Sequence, residues 1–563
     1  MAKEKKSLGE SLVENGLILA EQLRQAQVEE KRLGQRLRHV LVKMGFIAEE
    51  DLVSFISNKL GLPRIELANY LIDPKIIEMV PEALARKHEV IPVLKVGNRL
   101  TCAMVDPWNI FAMDEIRIRT NLTIEPAVAT EQEIKRAFDQ YYGAKGAMED
   151  LIKTIDEEKL YLKEGEEGEL KKLKEIGEEP VVIKLVNLTI MKAVREGASD
   201  IHIEPEEEML KTRFRVDGML HEVPSPPKYL HSAIISRIKI LANLNIAERR
   251  RPQDGRFGIK MEGRGVDIRV SCMPTMYGEN IVLRLLDAST ALLGLEQLGF
   301  SKQVLEKYQR LITRTYGIIL VTGPTGSGKT TTLYTSLNKI NSVEKHIITI
   351  EDPIEYALEG VRQIQVNPIV DLTFANGLRS ILRQDPDVIM VGEIRDHETA
   401  EIAIHAALTG HLVFSTLHTN DAPGAITRLI DMGIEPFLVS SSLIGILAQR
   451  LVRVICRDCK EKYAPSREIL ENIGLNGEEK NEFYKGKGCA KCMHSGYKGR
   501  IGIFELMMMD DAIRNLTTAK AALEELRKQA ISAGMIPLQA DGIQKIIEGL
   551  TTVEEVMRIT LAE

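Results

Sequence analysis

The sequence has 563 residues, 44% of them hydrophobic and 28% charged, a composition typical of soluble globular proteins with several domains. Its formal net charge of -7 argues against a general nucleic-acid binder, and no uncharged apolar run reaches the roughly 18 residues that a membrane span needs. The charged start Met1–Lys6 has no apolar run behind it and does not read as a secretion signal. We therefore expect a reducing, cytoplasmic location, with any membrane attachment made through a partner.

The N-terminal region, 1–145, is predicted to be a partner-docking domain of helical and α+β character. Apolar residues recur at helix-like spacing up to about residue 62, in two weakly similar units. Strand signals at 90–93 and 100–104 then indicate a compact α+β unit. The segment 146–179 is dense in charge, and we interpret it as a linker, with a solvated helix as the alternative.

Two further domains are predicted after this linker. Alternating strand patterns at 212–216 and 266–270 favour an α+β domain over 180–293. From 294 to 563, strands and helices alternate as they do in a parallel α/β sheet with both faces covered. Two cysteine pairs mark a small insertion into this last domain at about 452–503.

The strongest motif is a glycine-rich loop that follows the apolar run 317–322. Its glycines let successive backbone N–H groups turn toward phosphate oxygens, Lys329 supplies a positive charge for the β- and γ-phosphates, and the Thr330 hydroxyl can ligate Mg²⁺. A helix beginning near Thr330 directs its positive end at the same anion. The sequence therefore predicts a site for ATP and Mg²⁺, formed by Gly323, Pro324, Thr325, Gly326, Ser327, Gly328, Lys329, Thr330 and Thr331.

Two later apolar runs end in acidic residues, and both are predicted to be strands. Because ligands bind at the carboxyl ends of parallel strands, both acidic clusters should face the phosphate loop. Phosphoryl transfer needs a positioned water and a held metal, so Glu393 is predicted to orient or polarise that water. Glu351, Asp352 and Glu355 are predicted to hold the hydration shell of Mg²⁺. A helix cap or a solvated loop is the alternative for each of these acids.

Two histidines and two arginines complete the predicted catalytic set. His411 and His418 flank the apolar run 412–417, and His411 is predicted to sense the γ-phosphate, whereas His418 is equally well explained as structural. Arg269 and Arg284 lie on alternating strands of the second α+β domain. They are predicted to neutralise charge on the transferring phosphoryl group, in their own chain or from a neighbour, with surface ion pairs as the alternative.

The two CxxC pairs predict a structural zinc site. A two-residue gap lets both thiolates of a pair reach one ion, and two pairs supply four soft ligands in a tetrahedron. No fifth ligand or open position is evident, so the ion would be structural, and two unrelated pairs of free thiols are the alternative. The predicted ligands are Cys456, Cys459, Cys489 and Cys492.

Together these motifs resemble the secretion-ATPase superfamily over roughly residues 180 to 563. The phosphate loop and the stretches 351–353, 382–387, 392–396 and 408–411 look like its Walker A, Asp box, Walker B and His box. A glycine in the place before Glu393 is unusual for a Walker B strand, but it is part of this family's own pattern. The cysteine pairs and the stretch 424–433 look most like the E subunit of type II secretion, with the extension ATPase of type IV pili as a close relative.

The resemblance implies a RecA-like P-loop ATPase core preceded by a PAS-like α+β domain. It also implies a homohexamer, with nucleotide between the two large domains of each subunit and with Arg383 near that nucleotide beside Arg269 and Arg284. Docking to inner-membrane platform proteins would place the chain peripherally at the inner membrane. The implied function is assembly of a pseudopilus for type II secretion, driven by ATP hydrolysis. Type IV pilus extension is the first alternative; a nucleic-acid translocase and a regulatory nucleotide-binding module with negligible turnover are alternatives of other classes.

The N-terminal repeat resembles a module that binds cyclic di-GMP in some relatives, and it departs from that module. The module favours Arg-Leu-Gly at the start of each unit, whereas here the units begin Ser7-Leu8-Gly9 and Arg36-Leu37-Arg38. Glu30 stands where glutamine is usual and would repel an anionic ligand, and Arg38 removes the close backbone approach that glycine allows. We therefore expect this module to dock a partner rather than to bind cyclic di-GMP.

Overall fold

A computed structural model describes residues 8–33, 37–142, 179–261, 263–287, 294–466, 470 and 482–560. These residues form two compact units: the first covers the chain up to Val216 and Leu220–Leu285, and the second covers Asp217–Met219 and the chain from 286 onward. Within the described ranges, no helix is both long enough and apolar enough to cross a membrane. The hypothetical linker 146–179 lies outside the described residues, apart from its last position.

The first unit begins with four helices around a small core that includes Leu12, Leu41 and Ile56. Gly16 and Gly45, with φ of 73° and 70°, follow the first and third helices at matching points of the two sequence repeats. Glycine adopts this left-handed conformation without strain, which is why it ends both helices. The helices are α1 (Leu8–Glu14), α2 (Ala20–Leu33), α3 (Leu37–Lys43) and α4 (Glu49–Leu60).

Arg38 joins α3 to the region that follows the four helices. Its side chain is buried, and Nη1 donates a hydrogen bond to the carbonyl oxygen of Val105 at 2.6 Å. The carboxylates of Glu89 and Asp106 lie 3.6 Å and 3.9 Å from the same guanidinium. The side chain that replaces a glycine of the repeat is therefore an anchor between two parts of this unit.

A small α+β region with its own core follows. A three-stranded sheet, antiparallel on one side and parallel on the other, includes the predicted strand segments 90–93 and 100–104. Its elements are β1 (Tyr70–Leu71), α5 (Pro74–Ile77), α6 (Glu82–His88), β2 (Val90–Val96), β3 (Arg99–Met104), α7 (Ile110–Thr120), β4 (Thr123–Val128) and α8 (Glu131–Tyr141), of which β2, β3 and β4 form the sheet.

The rest of the first unit is built on a seven-stranded sheet, and β1 of the preceding region is one of its edge strands. Two helices, α9 (Pro180–Arg195) and α10 (His231–Leu241), belong to this part. Its own strands are β5 (Ala198–Pro205), β6 (Leu210–Val216), β7 (Met219–Val223), β8 (Gln253–Met261), β9 (Arg264–Thr275) and β10 (Gly278–Asp287). The spatial order is β1-β8-β9-β10-β5-β6-β7, with Tyr70 and Leu71 pairing in parallel with Lys260 and Met261.

The second unit is built on a seven-stranded sheet of order β13-β12-β14-β15-β11-β16-β19, preceded by α11 (Lys302–Ile312). The five pairings from β13 to β16 in this order are parallel, and β16 pairs with β19 in antiparallel fashion. The strands of this sheet are β11 (Gly317–Thr322), β12 (Ile347–Glu351), β13 (Arg362–Gln365), β14 (Val388–Val391), β15 (Leu412–Leu417), β16 (Leu443–Ile455) and β19 (Tyr497–Met508). Two further strands, β17 (Lys460–Tyr463) and β18 (Phe483–Gly486), form a separate two-stranded sheet.

Helices cover this second sheet, and every residue of β11 and β15 is buried, as the continuous apolar runs predicted. The helices are α12 (Lys329–Ile340), α13 (Phe374–Ile381), α14 (His397–Leu408), α15 (Ala422–Asp431), α16 (Pro436–Ser442), α17 (Asp511–Thr518), α18 (Leu523–Ser532), α19 (Leu538–Ile547) and α20 (Val553–Thr560). The predicted α/β class with a covered parallel sheet is confirmed.

The cysteine-bearing segment packs on the last two helices. Its two-stranded sheet of β17 and β18 contributes Phe483 to a core shared with Val452, Ile546 and Val556. Lys460 Nζ donates to the carbonyl oxygen of Gly549 at 2.7 Å. This segment therefore supports the C-terminal helices through both apolar and polar contacts.

Candidate functional site

The glycine-rich loop connects β11 to α12, which begins at Lys329. Gly326 and Gly328 have φ of 79° and 89°, a region that glycine enters at little cost. A Cβ on Gly323 would lie 2.5 Å from the carbonyl oxygen of Gln449, so no larger residue fits there. The loop thus has the tight backbone that a phosphate cradle requires.

Gln449, on β16, supports the loop from the neighbouring strand. Its side chain is 2% exposed; Nε2 donates to the carbonyl oxygen of Ser327 at 2.8 Å and Oε1 accepts from Thr332 Oγ1 at 2.7 Å. One amide therefore fixes the loop and the first turn of α12 together. The contact of Gln449 with the loop is not predictable from the sequence, because Gln449 lies 122 positions after Ser327 in a strand with no motif of its own.

Lys329 carries the positive charge of the loop in a partly buried position. Its Nζ donates to the carbonyl oxygens of Gly323 at 2.8 Å and Pro324 at 3.1 Å. Burial lowers the pKa of Lys329 to about 8, the charge of Glu393 opposes that shift, and the charge of Arg450 adds to it. A desolvated cation in a glycine cradle is well suited to pair with a phosphate group.

The residues of the loop fit a nucleotide with its metal. Ser327 Oγ is buried and has no hydrogen-bond partner among the residues that the structure describes, which leaves one polar group at the loop for a ligand. Thr330 is exposed in the first turn of α12, where its hydroxyl would join Mg²⁺. Thr331 is in that same turn, and the N-terminus of α12 favours an anion.

Glu393 follows β14, at the same sheet edge as the phosphate loop, because the intervening strand pairings are parallel. Its side chain is 14% exposed; Arg395 pairs with Oε1, and His418 Nε2 lies 3.3 Å from Oε2. The two partners fix the carboxylate in place. The structure therefore brings together Lys329, Glu393 and His418, which the sequence had placed in three separate motifs.

The glycine before Glu393 has a steric reason. Gly392 donates its N–H to the carbonyl oxygen of Ile350 at 2.8 Å, and its own carbonyl accepts from Thr416 Oγ1 at 2.7 Å. A Cβ at this position would lie 3.3 Å from the Ile350 oxygen and 3.4 Å from the Glu351 Cα. An acidic side chain here would crowd the turn, which is held between β12 and β15.

Glu351 lies in a different environment from the one that the sequence suggested. Its carboxylate is buried and accepts hydrogen bonds from Thr349 Oγ1 at 2.6 Å, from Gln363 Nε2 at 3.1 Å and from the hydroxyl of Tyr334. These internal bonds remove Glu351 from the predicted hydration shell of Mg²⁺. Asp352 and Glu355 follow β12 at the carboxyl edge and stay candidates for that shell.

His411 and Arg383 lie at the opposite edge of the sheet from the phosphate loop. Leu412 pairs with Gly317 and Leu417 with Thr322, so β15 separates His411 from the loop by about 20 Å at roughly 3.3 Å per residue. His411 Nδ1 is bound to the carbonyl of Ala406 at 2.8 Å. Within one chain, this register contradicts the predicted contact of His411 with the γ-phosphate. His418, which follows β15, lies at the edge that carries the phosphate loop.

Arg383 precedes β14 and donates from Nη1 to the carbonyl oxygen of Arg379 at 2.9 Å, again at the amino edge. Arg269 and Arg284 belong to β9 and β10 of the first unit. Arg284 Nε is 3.0 Å from Asp200 Oδ1, which is the ion pair foreseen as the alternative. A nucleotide contact for these three arginines stays a prediction.

The four predicted zinc ligands converge. The sulfurs are 3.9 Å apart in the pair Cys456–Cys489, 3.8 Å in Cys459–Cys492 and 3.7 Å in Cys489–Cys492, and all four lie within 4.8 Å of one another. Four thiolates about 2.3 Å from a central Zn²⁺ stand about 3.8 Å apart in a tetrahedron. The cluster could therefore hold a zinc ion with little movement.

The glycine cradle between β11 and α12, with Glu393 at the same edge of a parallel sheet, defines a RecA-like P-loop ATPase. More narrowly, the chain belongs to the Type II/IV secretion system protein family, which it matches over residues 175–558. Residues 60–148 also match the MshEN domain.

Similar proteins come from two kinds of machine. The chain is 47% identical over 555 residues to the type IV pilus assembly ATPase PilB of Myxococcus xanthus, covering 98% of each protein. It is 48% identical over 477 residues to the type II secretion system ATPase E of Vibrio cholerae, covering 81% of this chain and 94% of that one. The chain is thus an ATPase of the motors that drive secretion or pilus assembly.

Among solved structures, the Yersinia pseudotuberculosis ATPase DotB superposes with a TM-score of 0.51, covering 68% of this chain and 94% of that one. The two sequences are 21% identical, so the likeness shows a shared fold alone.

The lowered pKa of Lys329 predicts a pH dependence of ATP capture. As pH rises through about 8, the free protein loses the ammonium charge, so kcat/KM for ATP should fall, because this ratio reports ionisations of the free enzyme. The value of kcat should stay level over that range, because bound phosphates keep the ammonium protonated. Steady-state phosphate release between about pH 6.5 and 9.5 measures both. A kcat/KM that is constant up to pH 9 would contradict the assignment of Lys329.

Proposed function

We propose that this chain is a homohexameric motor that hydrolyses ATP to assemble a pseudopilus for type II protein secretion. The observation that carries the motor is the meeting of Lys329 and Glu393 at one edge of the parallel sheet. Similarity to secretion and pilus ATPases over most of the chain supports the cellular role. Type IV pilus extension is the alternative, and the Myxococcus relative favours it because the alignment covers 98% of both proteins.

In the proposed mechanism the phosphate loop binds and orients the triphosphate through its backbone N–H groups and Lys329. Thr330 would be the protein ligand of Mg²⁺, and Asp352 and Glu355 would lie beside the waters of that ion, which would supply positive charge to the phosphate oxygens. Glu393 orients the attacking water, and Arg395 and His418 hold that carboxylate in place. Residues of the first unit, Arg269 and Arg284, would add positive charge to the transferring phosphoryl group, and Arg383 could do so from a neighbouring subunit.

The N-terminal region, 1–145, is our candidate for docking to platform proteins of the inner membrane, which would make the chain a peripheral membrane component. We propose no nucleic-acid partner, in keeping with the net charge of -7. DNA-stimulated ATP hydrolysis would favour a translocase instead.

Replacing Lys329 with Ala should lower ATP turnover at least about 100-fold, because the loop then lacks the positive charge that binds and orients the phosphates.

Replacing Glu393 with Gln should lower ATP turnover to a similar degree, while the affinity for nucleotide stays within about threefold of the native value. Phosphate release and binding of a fluorescent ATP analogue measure the two quantities.

Glu401→Gln, which changes an exposed acid on α14, is the matched control and should behave like the native chain. Near-normal hydrolysis by the Lys329 variant would defeat the proposal, and loss of binding by the Glu393 variant would mean that its role is misassigned. In cells, loss of exported folded proteins on deletion favours secretion, and loss of surface pili favours the alternative.

We infer that the four-cysteine cluster holds one structural Zn²⁺. Elemental analysis of purified protein should give one zinc per chain, and Cys459→Ser should lose it. Because this segment supports α19 and α20, chelation should lower the Tm by several degrees. Cys102→Ala, at a lone buried cysteine, should keep the zinc. Native protein without metal would contradict the inference.

We infer that the N-terminal module of this chain does not bind cyclic di-GMP tightly. Glu30 Oε1 accepts the N–H of Leu37 at 3.0 Å and Lys59 contacts the hydroxyl of Ser11, so the two repeats use these positions to hold each other. Arg38 donates a hydrogen bond to the carbonyl oxygen of Val105. These contacts, and the negative charge of Glu30, disfavour an anionic dinucleotide at these positions.

Calorimetric titration of the native chain should show no binding tighter than about 100 μM. The double variant Glu30→Gln with Arg38→Gly approaches the usual pattern and should bind more tightly than the native chain. Micromolar affinity of the native chain would overturn the inference.

A further inference from the structure

A buried hydrogen-bond network lies behind the phosphate loop, and its central residue is Tyr334. This side chain is fully buried on α12, five residues after Lys329, and its hydroxyl donates to Glu351 Oε2 at the end of β12. The helix that begins with the phosphate-binding lysine is therefore bonded directly to the strand that leads into the acidic loop.

The same hydroxyl also fixes the acidic loop itself. It accepts the N–H of Glu355 at 3.3 Å and lies 3.4 Å from Gln363 Nε2. Gln363, on β13, accepts the N–H of Leu358 at 2.7 Å and donates to the carbonyl of Tyr356 at 3.1 Å. The segment from Glu351 to Leu358 is thus held at its start, middle and end by one tyrosine and one glutamine.

Ring packing and burial keep this hydroxyl in its donor state. The ring of Tyr356 meets that of Tyr334 edge-on, with centroids 4.6 Å apart. Burial, followed by the charge of Glu351, raises the pKa of Tyr334 far above its usual range, and burial raises the pKa of Tyr356 to about 12. The hydroxyl of Tyr334 therefore stays protonated, and toward the Glu351 carboxylate it can only donate.

The network also contacts the turn that carries Glu393. The N–H of Gly392 donates to the carbonyl of Ile350 at 2.8 Å, one residue before Glu351, and the space for a Cβ at Gly392 is limited by the Glu351 backbone. A shift of β12 relative to α12 would therefore move Asp352, Glu355 and the Glu393 turn relative to Lys329.

We propose that Tyr334 is a positioning residue for ATP hydrolysis, which sets the acidic loop 352–358 against the phosphate-binding helix through Glu351 and Gln363. Its effect is on geometry, because its hydroxyl is buried behind the loop and does not reach the reacting atoms. Carboxylates that orient a water or a metal shell must be held to a fraction of an ångström, and outer contacts of this kind typically change activity by 10- to 100-fold. The proposal rests on the proposed ATPase site.

Tyr334→Phe is the test, because it keeps the ring and removes only the donor. We expect kcat to fall about 10- to 100-fold while the affinity for a fluorescent ATP analogue changes less than about threefold. The Mg²⁺ concentration for half-maximal activity should rise. Mn²⁺ binding in the presence of a non-hydrolysable ATP analogue, followed by electron paramagnetic resonance, should weaken as well.

Tyr308→Phe is the matched control. Tyr308, on α11, is equally buried, and its hydroxyl forms a hydrogen bond of 2.9 Å with Ser336 Oγ. Ser336 is on α12, as Tyr334 is, but this bond does not involve Glu351. This variant should lose comparable thermal stability and keep kcat and Mn²⁺ binding. Equal effects of the two variants on these readouts would overturn the proposal, because both would then act through folding stability alone.

Amide hydrogen exchange tests the network without turnover. The N–H groups of Glu355 and Leu358 are bonded within it, so their exchange should accelerate in Tyr334→Phe and not in Tyr308→Phe. Unchanged exchange, together with unchanged kcat, would refute the role of Tyr334. If Lys329→Ala hydrolysed ATP normally, the proposed function would fail instead, and accelerated exchange would then show the network to be only structural.

Discussion

A positive charge held partly out of water, at the end of one buried strand, is the constraint around which the second unit is arranged. Lys329 has its pKa lowered by burial, and its ammonium donates to the carbonyls of Gly323 and Pro324. The glycines allow the loop to bend this tightly, and Gln449 keeps it bent. An anionic phosphate would stabilise that partly desolvated charge, so the folded loop favours binding of a nucleotide.

The acidic residues near this charge divide into three environments. Glu393 is held by Arg395 and His418 at the carboxyl edge, where a water could be oriented. Asp352 and Glu355 are in the loop that follows β12. Glu351 is buried, and its hydrogen bond with Tyr334 connects the start of that loop to α12. Carboxylates that are close in sequence therefore differ in environment, because burial decides whether a carboxylate meets solvent or only internal donors.

The outer parts of the chain are attached by specific small contacts. Two residues of the N-terminal region, Tyr70 and Leu71, extend the sheet of the first unit as its edge strand. Arg38 joins the four helices to the α+β region where a glycine would have left space. In the second unit, the cysteine segment packs under α19 and α20 through Phe483 and Lys460. Each of these contacts fixes the position of an outer region on the unit to which it belongs.

The sequence by itself determined the phosphate loop, the buried strands, the four clustered cysteines and the acid at Glu393, because each is encoded by neighbouring residues whose spacing has a direct chemical meaning. Tertiary structure decided which side chains share an edge of the sheet. Parallel register put His411 and Arg383 at the edge of the sheet opposite the phosphate loop and His418 at the same edge as that loop, which residue type does not reveal. No sequence motif marks the contacts of Gln449 and Tyr334 or the burial of Glu351, because these contacts join strands and helices that meet only after folding.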